Sequence, residues 1–436
     1  MSTVPPQEPE RLLSLDAFRG FVMLAMVSDG LGLSNVAEHF PDSRVWQWLA
    51  YQFSHVEYTG CALWDLIQPS FMFIVGVAMP YSYAKRLARG DSLAVTARHV
   101  LWRAIFLTLL GVFLRSNGHE QTRFTFEDVV SQLGLGYAFV YLTLGRGLKA
   151  QLAAALAILA GYWAWFYFTS LPNPIPEGIP DDWQQFPLAV EGVTHGDQVY
   201  PFHSEFWANI AQQWNKHINP AGMSDRWLLN LFPRSEPFQF NGGGYQTLSF
   251  VPSMATTIFG VMTGEYLRGL DSVGRKAIRL LQVGAICLAI GMVLDGTIWP
   301  GDGLQWTFCP IVKKIWTPTW AIFSTGWVLW GLAAFVWLID GLGFKRCAFP
   351  FVVVGMNPLT MYIMHWLIDG WTGGTLWTHG RMLAQAVGYD LSAAITAGES
   401  GQGWATYLPI IERASITFVL WLICLWMYRR KIFIRI

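Results

Sequence analysis

His55–Gly76 reads HVEYTGCALWDLIQPSFMFIVG. It starts as a polar, aromatic loop and ends as an apolar helix. A histidine stands at its outer end, and an aspartate, Asp65, stands where the lipid phase should begin. An ionisable side chain at that depth is costly and normally faces a cavity or a partner. A titratable pair at the mouth of a membrane bundle is placed for proton-transfer chemistry. Pro69 is expected to kink the helix and free backbone groups to line a cavity. Read in isolation, His55 is a surface loop residue and Asp65 a helix cap; the functional reading needs support from elsewhere in the chain.

Working outward, the composition agrees with a membrane setting. Of 436 residues, 53% are hydrophobic and 13% charged, where soluble domains carry roughly 25% charged residues. Twenty-three Trp and 29 Phe suit lipid contact and interfacial anchoring. A net charge of zero offers nothing to a nucleic acid. The first 13 residues are polar and acidic, with no small-residue cleavage site after the first apolar run, so that run is expected to be a retained helix. The five cysteines form no CxxC and no zinc spacing, and no metal is expected. Cys61 and Cys309 are expected as idle thiols, with a disulfide between them as the alternative.

Apolar segments of spanning length lie near 16–36, 63–84, 97–115, 128–145, 150–171, 247–267, 276–296, 317–339, 348–368 and 408–428. The expected fold is therefore an all-α polytopic membrane protein with about ten transmembrane helices. Nineteen of the 29 Lys and Arg residues fall at one set of alternate helix ends, from Arg11 and Arg19 through Arg103 to Arg435, which predicts that set and both termini to be cytoplasmic. The opposite side then holds 37–62, 116–127, 172–246, 297–316 and 369–407. The 172–246 loop, between the fifth and sixth spans, is rich in Pro, Trp, Gly and Asp and is expected to be an ordered extracytoplasmic cap on a single domain covering 1–436. A cap that stacks on sugar and a cap that merely packs on the bundle are equal readings of its aromatics.

Four further patches spend polar residues in apolar surroundings. RLLSLDAFRGF, residues 11–21, has Ser14 as an expected N-cap, Asp16 three residues from Arg19, and Gly20 for close helix approach. It suits either an interfacial anchor or an inner-face site for an anionic cofactor. NGGGYQTLSFVPSMATTIFGVMTGEYL, residues 241–267, holds Gly260 and Gly264 in a packing spacing. PIVKKIWTPTW, residues 310–320, puts Lys313 and Lys314 near the membrane on the lysine-poor side, to contact a phosphate or carboxylate or to snorkel. GMNPLTMYIMH, residues 355–365, carries Asn357, Tyr362 and His365 inside an expected helix.

In this order the patches resemble the heparan-α-glucosaminide N-acetyltransferase family and its bacterial relatives. The residues that carry the resemblance are SLDAFRG at 14–20, HxxYxGxxxxDxxxPxFxFxxG at 55–76, QLG at 132–134, GxxxG at 260–264, PxxKxxW at 310–316, and GMN with Tyr362 and His365. The 55–76 spacing is specific and GxxxG is not. The resemblance implies a multi-helix membrane enzyme that takes acetyl from cytoplasmic acetyl-CoA and delivers it to the amine of a glucosamine on the far side. It implies a bacterial inner-membrane location and leaves a homodimer open. His55 matches the family's active-site histidine and Asp65 its aspartate. The family's asparagine late in the first helix is replaced by Ser28-Asp29-Gly30, its usual Trp by Tyr58, and its arginine before LG by Gln132, so amine and hydroxyl acceptors both stay open.

On this reading His55 is base or acetyl carrier and Asp65 its partner. Arg11, Arg19 and Arg103 hold the nucleotide end of acetyl-CoA. Asp29, Tyr58, Lys313, Asn357, Tyr362 and His365 surround the acceptor, an amino sugar or glycan. The alternative from another class is a transporter of a sugar or lipid-linked intermediate, for which Pro69 and Pro358 would mark broken helices but no internal repeat is visible.

Overall fold

The computed structural model describes residues 12–172, 176, 178–179, 193–195, 198–200, 210–296 and 307–434. Fifteen helices are described: α1 Leu13–Val27, α2 Leu33–Ala37, α3 Arg44–Gln52, α4 Ile67–Ala88, α5 Leu93–Arg115, α6 Val129–Tyr141, α7 Leu148–Phe168, α8 Pro220–Leu228, α9 Phe250–Leu267, α10 Val273–Asp295, α11 Pro318–Phe335, α12 Lys345–Gly355, α13 Pro358–Ala386, α14 Leu391–Glu399 and α15 Leu408–Arg429. A small antiparallel hairpin pairs β1, Val193–His195, with β2, Gln198–Tyr200.

Among the described residues, six helical stretches are long and apolar enough to cross a membrane: Leu63–Ala88, Leu93–Arg115, Leu148–Phe168, Val273–Asp295, Pro318–Gly341 and Trp404–Arg429. Two bent pairs raise the number to eight if each is one span. The chain is thus an all-α polytopic membrane protein. Of the other expected spans, α6 has only 13 residues, about 20 Å of helix against a hydrocarbon core of about 30 Å. α9 has 18 residues, with Ser253, Thr256, Thr257 and Thr263 buried in the bundle.

Both bends fall where a continuous helix was expected. The 16–36 segment breaks after α1, where Asp29, Gly30, Leu31 and Gly32 all have positive φ, and the halves meet at 48°. The 348–368 segment breaks at Asn357 into α12 and α13, bent by 62°, and α13 continues to Ala386. Pro358 opens α13, where its missing N–H breaks no helical bond. Pro69 is likewise in the first turn of α4 and causes no mid-helix kink there, because the helix begins only at Ile67. α1 starts at Leu13 with Leu12 at the cap, so Ser14 is a residue inside the helix rather than its N-cap.

Two glycine contacts set the central packing. A Cβ on Gly76 of α4 would collide with the Thr257 carbonyl of α9, and one on Gly260 or Gly264 with the Phe73 or Val77 carbonyl of α4. The backbones therefore touch along the spacing read as a packing face. α1 and α12 are locked in the same way, since a Cβ on Gly20 or Gly355 would meet the Phe351 or Asp16 carbonyl. The largest apolar core runs between these pairs, from Phe18 and Met23 through Phe73 and Val77 to Leu332, Val353, Met361 and Leu420.

Candidate active site

Asp65 lies in a single 3₁₀ turn, Leu63–Leu66, that leads into α4. Its Oδ2 accepts the N–H groups of Ala62 (3.1 Å) and Val56 (3.3 Å), which folds the preceding loop back over the helix start. That fold brings His55 onto the other oxygen, with Nδ1 2.7 Å from Oδ1. Two lone pairs would repel at this separation, so the proton sits on Nδ1 and is donated to the carboxylate. The lone pair is then on Nε2, at the opposite edge of the ring. Asp65 is buried at 2% side-chain exposure while His55 keeps 44%, so the carboxylate orients and the imidazole is presented.

The loop is stitched to two distant segments. Thr59 pairs with Val312 in an isolated bridge, and Gly60 donates to the Ile311 carbonyl at 2.9 Å. Tyr58 is buried and donates its hydroxyl to the Trp214 carbonyl (2.7 Å). Trp214 in turn stacks on Phe166 at 4.5 Å, so the described end of the 172–246 loop is packed against α7. The remaining cap aromatics read from the sequence (Trp183, Phe186, Phe202, Phe206 and Trp207) lie outside the described residues. The bridge to Val312 delivers Lys313, 248 residues from Asp65, to 3.3 Å from its Oδ1 and 3.1 Å from His55 Nδ1. Burial holds the Lys313 ammonium below the ordinary lysine range, and the Asp65 carboxylate pulls it back. Lys314 points elsewhere, donating to the Glu57 carbonyl and lying 5.7 Å over the Tyr245 ring; burial and the neighbouring Lys216 bring it down to about 8.

His55 and Lys313 line a cavity of about 280 Å³. Trp64, Ile67 and Gln68 at the start of α4 and Met26 of α1 share its rim, and Tyr245 stands on one side. The facing wall is built by Arg115, Glu127, Asp128, Val129, Tyr362, His365 and Trp366. Arg115 pairs with Glu127 at 2.6 Å and lies 5.5 Å over the Trp366 ring. Asp128 caps α6 through the N–H groups of Val130 and Ser131. His365 Nδ1 is 2.8 Å from Asp369 Oδ2. The cavity thus combines two imidazoles and one ion pair with several aromatic rings, a lining suited to a small polar molecule with flat apolar surfaces.

Of the residues read as site members, the structure brings together His55, Asp65, Lys313, Tyr362 and His365. The others are elsewhere. Tyr58 does not line the cavity. Asp29 is exposed in the bend after α1 and pairs with Arg413 at 3.0 Å. Arg19 donates through Nε to the Gly355 carbonyl (2.8 Å) and pairs with Asp16 (2.7 Å). Asn357 is buried and bonds the Ile432 carbonyl and the Ile434 N–H, tying the C-terminal segment to the break between α12 and α13. Arg103 lies 4.9 Å over the Tyr137 ring with its Nε buried and without a hydrogen-bond partner among the described residues. Arg11 lies outside the described residues. Sequence reading missed Arg115, Glu127 and Trp366. The available signal was an arginine ending an apolar helix on the side poor in basic residues.

Cys61 and Cys309 are both free. Burial pushes each thiol up to about 12, and for Cys61 the Asp65 charge adds to this. Neither offers a thiolate near neutral pH.

No family model matches the chain. Over 406 residues, 85% of this chain and 54% of the relative, it is 23% identical to the heparan-alpha-glucosaminide N-acetyltransferase of Homo sapiens. Over 394 residues, 83% of this chain and 54% of the relative, it is 23% identical to the enzyme of that name from Mus musculus. The chain is a distant relative of the heparan-alpha-glucosaminide N-acetyltransferases. It spans about half the length of the two curated relatives. The match agrees with the motifs read from the sequence, whose most specific element is the His55–Gly76 stretch.

Proposed function

We propose that the chain is a transmembrane acetyltransferase, moving acetyl from cytoplasmic acetyl-CoA to an amino sugar or glycan on the extracytoplasmic side of a bacterial inner membrane. The observation that carries this reading is the His55–Asp65 pair, with His55 lining a cavity of about 280 Å³. The relatives' name adds the acetyl group and the glucosamine. Charge counting puts the cavity end of the bundle outside, opposite most of the basic residues.

Asp65 fixes the Nδ1–H tautomer and offsets positive charge on the ring when it forms. In a direct transfer, Nε2 takes the proton from the acceptor amine or hydroxyl as that atom attacks the thioester carbon. The tetrahedral intermediate then expels the CoA thiolate, which recovers the proton from the imidazolium. In the two-step route, Nε2 itself attacks, CoA leaves as thiolate, and the acceptor displaces acetyl from the ring. Both need the same neutral Nε2.

Acetyl-CoA carries phosphates that cannot enter hydrocarbon, so its nucleotide end stays at the inner face. Arg19 is engaged by Asp16 and the Gly355 carbonyl, which leaves Arg103, with its unpartnered Nε, as the better-suited guanidinium. Beside Tyr137, a small pocket between α6 and α9 is lined by Gln132, Gly136, Ser253 and Thr257. Its space, about 10 Å³, holds one water at most, so a pantetheine arm placed there requires the pocket to widen. The test is CoA release from acetyl-CoA by the purified protein on addition of glucosamine. His55→Ala is expected to lower the rate by about 10²–10⁴-fold or more. Sugar uptake into liposomes without CoA, and no CoA release, would favour a transporter instead.

A further inference from the structure

We infer that Lys313 is the positioning cation of this centre: seated on Asp65 Oδ1 beside His55 Nδ1, it keeps the imidazole neutral, with the proton on Nδ1 and the lone pair on Nε2. The inference rests on the reading of His55 as base or acetyl carrier and assigns a role to a group that the transfer itself does not use.

Nδ1 is 2.7 Å from Oδ1 and 3.1 Å from Nζ. One nitrogen cannot donate to the first and accept from the second with a single proton. The shorter contact requires the Nδ1–H, so the lysine gives its hydrogen bond to Oδ1 (3.3 Å) and merely abuts the ring. The carboxylate is then saturated: Oδ1 takes His55 and Lys313, and Oδ2 takes Ala62 and Val56. A second positive charge on the imidazole would sit against the ammonium over one shared carboxylate. That like-charge contact opposes protonation of Nε2.

Of the other titratable groups lining the cavity, Arg115 and Glu127 are paired with each other at 2.6 Å, Asp128 caps α6, and His365 is held by Asp369 at 2.8 Å. Cys61 and Tyr245 are both pushed up to about 12 and Tyr51 is raised, each chiefly by burial, so none is an anion near neutral pH. Lys314 is turned to Glu57 and the Tyr245 ring. Lys313 lines the cavity, but only 5% of its side chain is exposed and its ammonium is engaged by Asp65.

The experiment uses the full chain in detergent as wild type, Lys313→Met and Lys313→Arg. Two pH profiles are read: kcat/KM for CoA release, and modification of the His55 peptide by diethyl pyrocarbonate, which attacks neutral imidazole and needs no acetyl transfer. In Lys313→Met, the acid limb of kcat/KM and the midpoint of modification should both move to higher pH by about one unit, because Asp65 then favours the imidazolium unopposed. Lys313→Arg keeps the charge and should hold both near wild type. An unmoved midpoint with activity lowered evenly at all pH values would make Lys313 merely structural and overturn the inference. A rise in KM alone, with unmoved limbs, would make it a substrate anchor and overturn it equally. A shifted midpoint in a protein that never releases CoA would uphold Lys313 and sink the acetyl-transfer reading.

Discussion

The two ends of the bundle use the same residue types to opposite effect. At one end Arg19, Asp16 and Asn357 spend their hydrogen bonds on the Gly355 carbonyl, on each other, and on Ile432 and Ile434. They close the break between α12 and α13 and anchor the C-terminal segment. At the other end His55, Arg115, Glu127 and His365 are held by partners that leave part of each facing a shared volume. An arginine or asparagine in an apolar segment therefore identifies a costly position and not a site. What separates the ends is whether the donors and acceptors are consumed by backbone or left turned to a cavity.

That contrast can be broken by substitutions on either side. At the cavity end, Asp65→Asn should lower kcat by about 10²–10⁴-fold with KM nearly constant, since the amide stabilises the wrong tautomer and cannot balance an imidazolium. Steady-state CoA release reads both parameters. At the opposite end, Asn357→Ala should leave kcat near wild type and cost about 2 kcal/mol of stability, by stranding the Ile432 carbonyl and the Ile434 N–H. A thermal melt in detergent measures it, and a large kcat loss in a stable Asn357→Ala protein would erase the distinction between the ends. On the facing wall of the cavity, Arg115→Gln should raise the acceptor KM several-fold, worth about 1 kcal/mol, with kcat little changed.

The smallest effect concerns the 172–246 loop. Burial raises the Asp225 carboxyl to about 7, against hydrogen bonding from Thr247. Its Oδ1 is buried without a hydrogen-bond partner among the described residues. Between about pH 4 and pH 7 the folded chain keeps this proton while the unfolded chain has lost it, so stability falls with rising pH across that window and is flat above it. Asp225→Asn should remove the fall and leave the protein more stable than wild type at pH 8, with no difference at pH 4. Melting temperatures at the two pH values decide it.

The long apolar helices were legible because twenty apolar residues have few alternatives. The His55–Asp65 pair was legible through its match to the family spacing, since in isolation the two read as a surface loop residue and a helix cap. The bends were not. One depends on positive φ at Asp29 and Leu31, which local chemistry disfavours and tertiary packing imposes. The other lies at Asn357, whose side chain is satisfied by residues 75 and 77 positions away. Lys313 was flagged, but its seat on Asp65 depends on the Thr59–Val312 bridge, which no local pattern encodes. Arg115 and Trp366 lie on helices α5 and α13, and only the packed bundle sets them in one wall.

Acetyl-CoA turnover with glucosamine, measured side by side for purified His55→Ala and Asn357→Ala proteins of verified fold, tests the central claim most directly. The expected result is loss of CoA release by about 10²–10⁴-fold or more in His55→Ala and a rate near wild type in Asn357→Ala. Near-normal turnover by His55→Ala would contradict the account.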